Sequence, residues 1–223
     1  MSIEQELQKL VELEKHLQGG EALTLCERLL SELDSYAGLS GQDREGTRSF
    51  LKMRKAGLLR DKGRQQEALQ LMAEALTHAE SSGNKVQIGR CKLGFGVMHA
   101  SLGNVEKGRQ LLEEAVAYFR GLREAGSDYG VEQGLGWALL NLGRWMAKIG
   151  QSQAGITQLE EAVGVLQRIG NHVGVATAYE FLGEVFEAQG DQAQAWENYK
   201  HAKEHYEKEG MNEKAAQMKA KLQ

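Results

Sequence analysis

Two histidines four residues apart, His201 and His205, flank Glu204 in the segment KHAKEHYEKEG and are the pair best spaced for metal chemistry. On a helix that spacing puts both imidazoles on one face, where neutral ring nitrogens can hold zinc. A third ligand and an HExxH arrangement are lacking, so the two read as solvated or packing histidines and no metal or cofactor is expected. His16, His78, His99 and His172 are isolated in sequence and carry no assigned role. Cys26 and Cys91 both fall on apolar stripes and read as buried reduced thiols rather than a disulfide or metal ligands. Arg44 to Arg64 holds eight Lys/Arg against two acidic residues. Such an excess could face RNA, anionic lipid or an acidic protein. No aromatic ladder or nucleic-acid motif accompanies it, which favours a solvated face or a protein contact. There is no G-x-S-x-G, no P-loop and no dinucleotide fingerprint, and Gly94-x-Gly96 sits in a helical pattern rather than at a strand–helix turn. The chain is not expected to be an enzyme.

The elements that must carry these residues are helices. The 223 residues include 27 glycines and no proline, with 41% hydrophobic and 26% charged residues. Absence of proline suits an all-helical chain without kinks. The net charge of −4 argues weakly against a general nucleic-acid binder. The opening MSIEQELQKLVELEKHL is acidic and helical, with no basic region leading into an apolar one, and no apolar run approaches the ~18 residues of a membrane span. A cytosolic location is expected.

Apolar spacing predicts helix pairs over about 1–34, 45–80, 86–122, 131–169 and 173–209, and a short capping helix over 212–222. Ile3, Leu7, Leu10, Val11, Leu13 and Leu17 mark the first helix; Asp34–Asp43 and residues 123–130 read as longer connections. Second-helix stripes recur as Ala68–Met72–Ala75, Leu112–Ala115–Phe119, Leu159–Ala162–Leu166 and Ala195–Tyr199–Ala202. In the second pair Lys52 and Lys55 stand where Tyr179 and Leu182 stand in the fifth, so either their stems snorkel or that helix is rotated. Asp191 and Gln194 have capping-box spacing. In the last helix Ala215, Met218 and Leu222 face one way and Lys214, Lys219 and Lys221 the other, as a solenoid cap requires.

The turn glycines give the period. Gly63 to Gly103 is 40 residues, Gly103 to Gly150 is 47, and Gly150 to Gly190 is 40. The small residues Ala56, Gly96, Gly143 and Gly183 each precede their turn glycine by seven. The extra seven are about two helical turns, which a lengthened helix absorbs without losing its apolar face.

An aromatic–Leu–Gly–aromatic helix (Tyr179, Leu182, Gly183, Phe186), a tight Gly190-Asp191 turn and an Ala–Tyr–Ala helix resemble the tetratricopeptide repeat, in its long variety of roughly 40 residues. The resemblance covers 45–209 clearly and 1–34 loosely. The usual proline after the second helix is missing, and Gly108 and Gly155 replace an expected alanine. The resemblance implies one all-α solenoid over 1–223, a right-handed superhelix of five antiparallel pairs and a cap.

By register with the family, the first helices line a concave groove for an extended or helical peptide. The resemblance then nominates Arg54, Arg90, Trp137, Asn141, Arg144, Lys148 and Phe181 as partner-binding positions, together with an acidic set, Glu180, Glu184 and Glu187, on the fifth pair. Asn141 occupies a setting where long-repeat relatives bond a bound peptide's backbone, a task suited to an amide that donates and accepts. An acidic partner segment would engage Arg54, Arg90, Arg144 and Lys148, with Trp137 as aromatic anchor. The plainer alternative is ordinary solvated charges, with Trp137 packed against 123–130. The expected function is a non-catalytic protein-binding adaptor or scaffold; the alternatives are a regulatory module whose superhelical pitch responds to a peptide or ligand, and a self-assembling scaffold.

Overall fold

Helix ends are written into the sequence as two chemical signals. Ser2, Ser40, Asn84, Asp128, Asn171 and Asp191 each accept, through a side-chain oxygen, a backbone N–H three residues on. These contacts satisfy donors that a helix start leaves open. Glycine supplies the stops. Gly63, Gly103, Gly150, Gly170, Gly190 and Gly210 all have φ between 67° and 86°. After each of them the next N–H reaches back to the carbonyl five residues earlier. Arg64 to Leu59, Asn104 to His99, Gln151 to Met146, Asn171 to Leu166, Asp191 to Phe186 and Met211 to Tyr206 are all 2.9–3.0 Å. This is the Schellman closure, and its left-handed residue is where glycine is least strained.

The computed structural model describes residues 2–16 and 18–222; Leu17, expected on the first apolar face, lies outside them. Among the described residues the elements are α1 (Ile3–Lys15), α2 (Gly19–Glu32) with a single 3-10 turn at Leu33–Ser35, α3 (Gly41–Asp61), α4 (Gln65–Ser82), α5 (Lys85–Ser101), α6 (Val105–Ala125), α7 (Tyr129–Lys148), α8 (Ser152–Arg168), α9 (His172–Ala188), α10 (Gln192–Lys208) and α11 (Asn212–Lys221). The chain divides into two compact units, Met1–Leu111 and Leu112–Gln223. In the first, α2 packs on α1 and α3, and α4 on α3 and α5; in the second, successive helices from α7 to α11 pack in the same way. Each unit is a stack of antiparallel helix pairs, the α-solenoid architecture.

The second-helix stripes form the cores. Ala68, Met72, Ala75, Leu112, Ala115, Phe119, Leu159, Ala162, Leu166, Ala195, Tyr199 and Ala202 are each at most 2% exposed. Where two helices touch most closely, glycine is required by space. A Cβ on Gly155 would come within 2.6 Å of the Gly143 carbonyl, and one on Gly183 within 2.6 Å of the Tyr199 ring. Both thiols are free and buried, and burial pushes Cys26 up to about 12 and Cys91 to about 11.

Several boundaries differ from the periodicity. The connection expected over 123–130 is only residues 126–128, because α6 runs on to Ala125 and Asp128 caps α7. The extra seven residues of the long period are therefore helix: α6 has 21 residues and α7 has 20, against 17 in α5, α8, α9 and α10. The expected 34–43 loop is likewise shortened by the 3-10 turn and by the Ser40 cap. Asp191 caps Gln194 N–H, but the reciprocal half of the box is not made, since Asp191 N–H already closes on Phe186. Val11 proves exposed.

The second pair keeps its register. Ser49, Ala56 and Leu59 are buried on either side of Lys52 and Lys55, whose stems snorkel outward to Glu74 (2.6 Å) and Glu27 (3.0 Å). The basic excess at 44–64 is largely cancelled in space. Arg44 and Arg48 meet Asp34, Arg54 meets Glu14, Arg60 meets Asp61 and Arg64 meets Glu67.

Candidate binding face on the first helices of the second unit

In an α-helix, positions four and seven apart share a face. On α7 that places Trp137, Asn141, Arg144 and Lys148 together; Trp137 and Asn141 are half-buried, Arg144 and Lys148 exposed. On α9 the same rule groups Thr177, Phe181 and Glu184, with Glu180 beside them. The two helices meet there: the Arg144 guanidinium carbon lies 4.3 Å from the centre of the Phe181 ring. A guanidinium held over an aromatic face keeps its outward N–H groups available while its carbon sits against the ring. Glu184 completes the group. Desolvation and the neighbouring Glu180 push its carboxyl up, while Arg144 pulls it down.

Asn141 Nδ2 donates to the Trp137 carbonyl at 2.8 Å, one turn back. Among the described residues no group donates to its Oδ1. The amide thus offers one acceptor outward, with its donor partly committed. Lys148 Nζ lies 5.5 Å from the Trp145 ring centre.

Two of the three acids expected to face out from α9, Glu180 and Glu187, are paired by lysines of α11, which do not simply face solvent. Glu180 is buried, and its carboxylate accepts from Tyr206 Oη at 2.5 Å and from Lys214 Nζ at 2.9 Å. Glu187 accepts from Tyr199 Oη at 2.6 Å and from Lys221 Nζ at 2.8 Å. These two donors hold the Glu187 carboxyl below the usual range, and burial above all raises both phenols. Two identical Glu–Tyr–Lys rungs therefore link α9, α10 and α11. The sequence signal was present as three pairs spaced by seven: Glu180/Glu187, Tyr199/Tyr206 and Lys214/Lys221. Nothing in one dimension says that they meet.

The other nominated residues lie in the first unit. Arg54, on α3, is paired with Glu14 of α1 and stands 5.6 Å from the Phe50 ring centre. Arg90 is half-buried on α5.

Known proteins can now be set beside this geometry. A tetratricopeptide-repeat profile matches residues 134–208, from the first turns of α7 to the end of α10. Residues 134–208 carry tetratricopeptide repeats. Solved structures agree on the fold. PlcR of Bacillus thuringiensis superposes with a TM-score of 0.78 at 15% identity, over 96% of this chain and 73% of that one. BtubC from P. vanneervenii gives 0.60 at 16% identity, over 92% and 87%. A Rap protein gives 0.60 at 16% identity, over 95% and 60%. No curated protein matches. In tetratricopeptide-repeat terms α7 and α9 are first helices of successive pairs, and α11 stacks on α10 as a further first helix would. Among the described residues no helix is long and apolar enough to cross a membrane.

Proposed function

We propose that this chain is a non-catalytic protein-interaction module of the cytoplasm, whose α7–α9 face takes an extended or helical segment of a partner protein. The Arg144–Phe181 stack carries the reading. It presents a guanidinium fork beside the open carbonyl of Asn141 and the half-buried ring of Trp137. A partner carboxylate entering here pairs with Arg144 and Lys148, while a partner backbone N–H donates to Asn141 Oδ1. Further support comes from two structures of the same fold. The PlcR structure holds the peptide PapR7 and DNA, and the Rap structure holds Competence and Sporulation Factor.

The test is affinity capture from source lysate read by mass spectrometry, followed by titration of the captured protein against variants. Arg144→Glu with Lys148→Glu should cost roughly 2 kcal/mol or more of binding, as expected when a central charged contact is reversed. Capture that this pair of reversals leaves unchanged overturns the proposal.

A further inference from the structure

On the opposite side of α9 from the Arg144–Phe181 face lies a second cluster, drawn from three helices of the second unit. His172 opens α9, and His205 sits in the last turn of α10. Their Nδ1 atoms are 3.1 Å apart and the ring centres 5.2 Å. Tyr179 stacks nearby, 5.0 Å from His201 and 6.2 Å from His205, and receives Gln167 of α8 at 3.5 Å on its hydroxyl. Tyr179 and Phe181 are two residues apart on the helix, about 200° around it, which separates this cluster from the binding face.

We infer that His172 and His205 form a two-histidine chelating site for a divalent late transition-metal ion such as Zn²⁺, Ni²⁺ or Cu²⁺. Metal–imidazole bonds of roughly 2.0–2.1 Å in tetrahedral geometry place two donor nitrogens about 3.3 Å apart. The observed separation needs only a small outward movement. Without metal, one Nδ1–H donates to the other ring's Nδ1; with metal, the donor ring carries its proton on Nε2 instead, so both Nδ1 lone pairs face the ion and no net proton is released. Neither ring has another hydrogen-bond partner among the described residues.

Among the described residues no third carboxylate, thiol or imidazole is in place, so this is an open site completed by water. His201, one turn from His205 and 4.0 Å from Glu204, is near enough in sequence to join by a rotamer change. The ligands come from different helices, so a bound ion staples α9 to α10 at the end remote from Gly190.

Isothermal titration of Zn²⁺, Ni²⁺ and Cu²⁺ into the full chain at neutral pH tests this. The expected result is one equivalent bound, with Cu²⁺ tightest, and a Tm that rises with metal concentration. His172→Ala and His205→Ala should each weaken binding by about a hundredfold, because either change leaves a single imidazole and removes the chelate gain. His172→Asn and His205→Gln, which keep polar side chains, should fold as the parent does and show the same loss. His201→Ala should change affinity by less than either. Absence of stoichiometric binding, or binding that the His172 and His205 variants leave intact, overturns the inference.

Discussion

Lys214 Nζ lies 2.9 Å from Glu180 Oε1, although the two residues are 34 positions apart and on helices that are not neighbours in sequence. The contact explains how a buried carboxylate is tolerated on α9. Tyr206 and Lys214 occupy its oxygens, so the charge is both paired and hydrogen-bonded. Removing the lysine leaves that carboxylate under-satisfied. Lys214→Ala is expected to cost about 1–3 kcal/mol in urea unfolding. Lys221→Ala, whose pair with Glu187 is far more exposed, should cost less than about 1 kcal/mol.

The glycines divide by what surrounds them. A methyl on Gly155 would meet the Gly143 carbonyl and the Ala147 backbone, whereas at Gly164 the nearest atom is the end of Arg168 at 3.9 Å. Gly155→Ala should therefore destabilise by about 1–3 kcal/mol through overpacking. Gly164→Ala should stabilise by up to roughly 1 kcal/mol through helix propensity. Thermal unfolding of the two variants, side by side, checks both signs.

Asn141 separates stability from binding. Its only described hydrogen bond is to its own helix, so Asn141→Ala should leave Tm nearly unchanged or slightly raised. The same variant should lose affinity for the captured partner, by about 0.5–1.5 kcal/mol for one backbone contact. Equal affinity in a titration would remove Asn141 from the binding face.

Acid sensitivity should trace in part to the Glu187 rung. Its carboxyl is held low by Lys221 first and Tyr199 second, so the native state binds fewer protons than the unfolded chain. The stabilisation is present in full above the unfolded carboxyl value and is lost as pH falls through the lowered native one. Lys221→Gln should flatten that part of the stability profile. A profile superimposable on the parent's would assign the acid loss to other carboxylates.

Much of the fold was legible because it rests on local signals. Glycine stops, Asn and Asp starts and apolar stripes at helical spacing are read within one turn of chain, and all reappear in the α7–α10 hairpins. The boundaries that slipped, around 34–43 and 123–130, are polar and glycine-bearing stretches, where composition alone does not reveal that a helix continues. The candidate binding face was legible only as a register. Sequence placed Arg144 and Phe181 on first helices, but their stacking depends on the spacing between α7 and α9. The acidic reading of α9 missed the pairing of Glu180 and Glu187 for the same reason: their lysines come from a helix whose polar face looked free. His172 is 33 residues from His205, and no periodicity brings them together.

The two Glu–Tyr–Lys rungs also govern how the end of the second unit moves. They stand seven residues apart on each of three helices, so a one-turn slip or rotation of α11 breaks both at once and exposes Met218 and Ala215. Partial unseating therefore gains little conformational freedom for the contacts it loses. α11 should open as a single unit, and its backbone amides should exchange with solvent deuterium together rather than fraying one by one from the C-terminus.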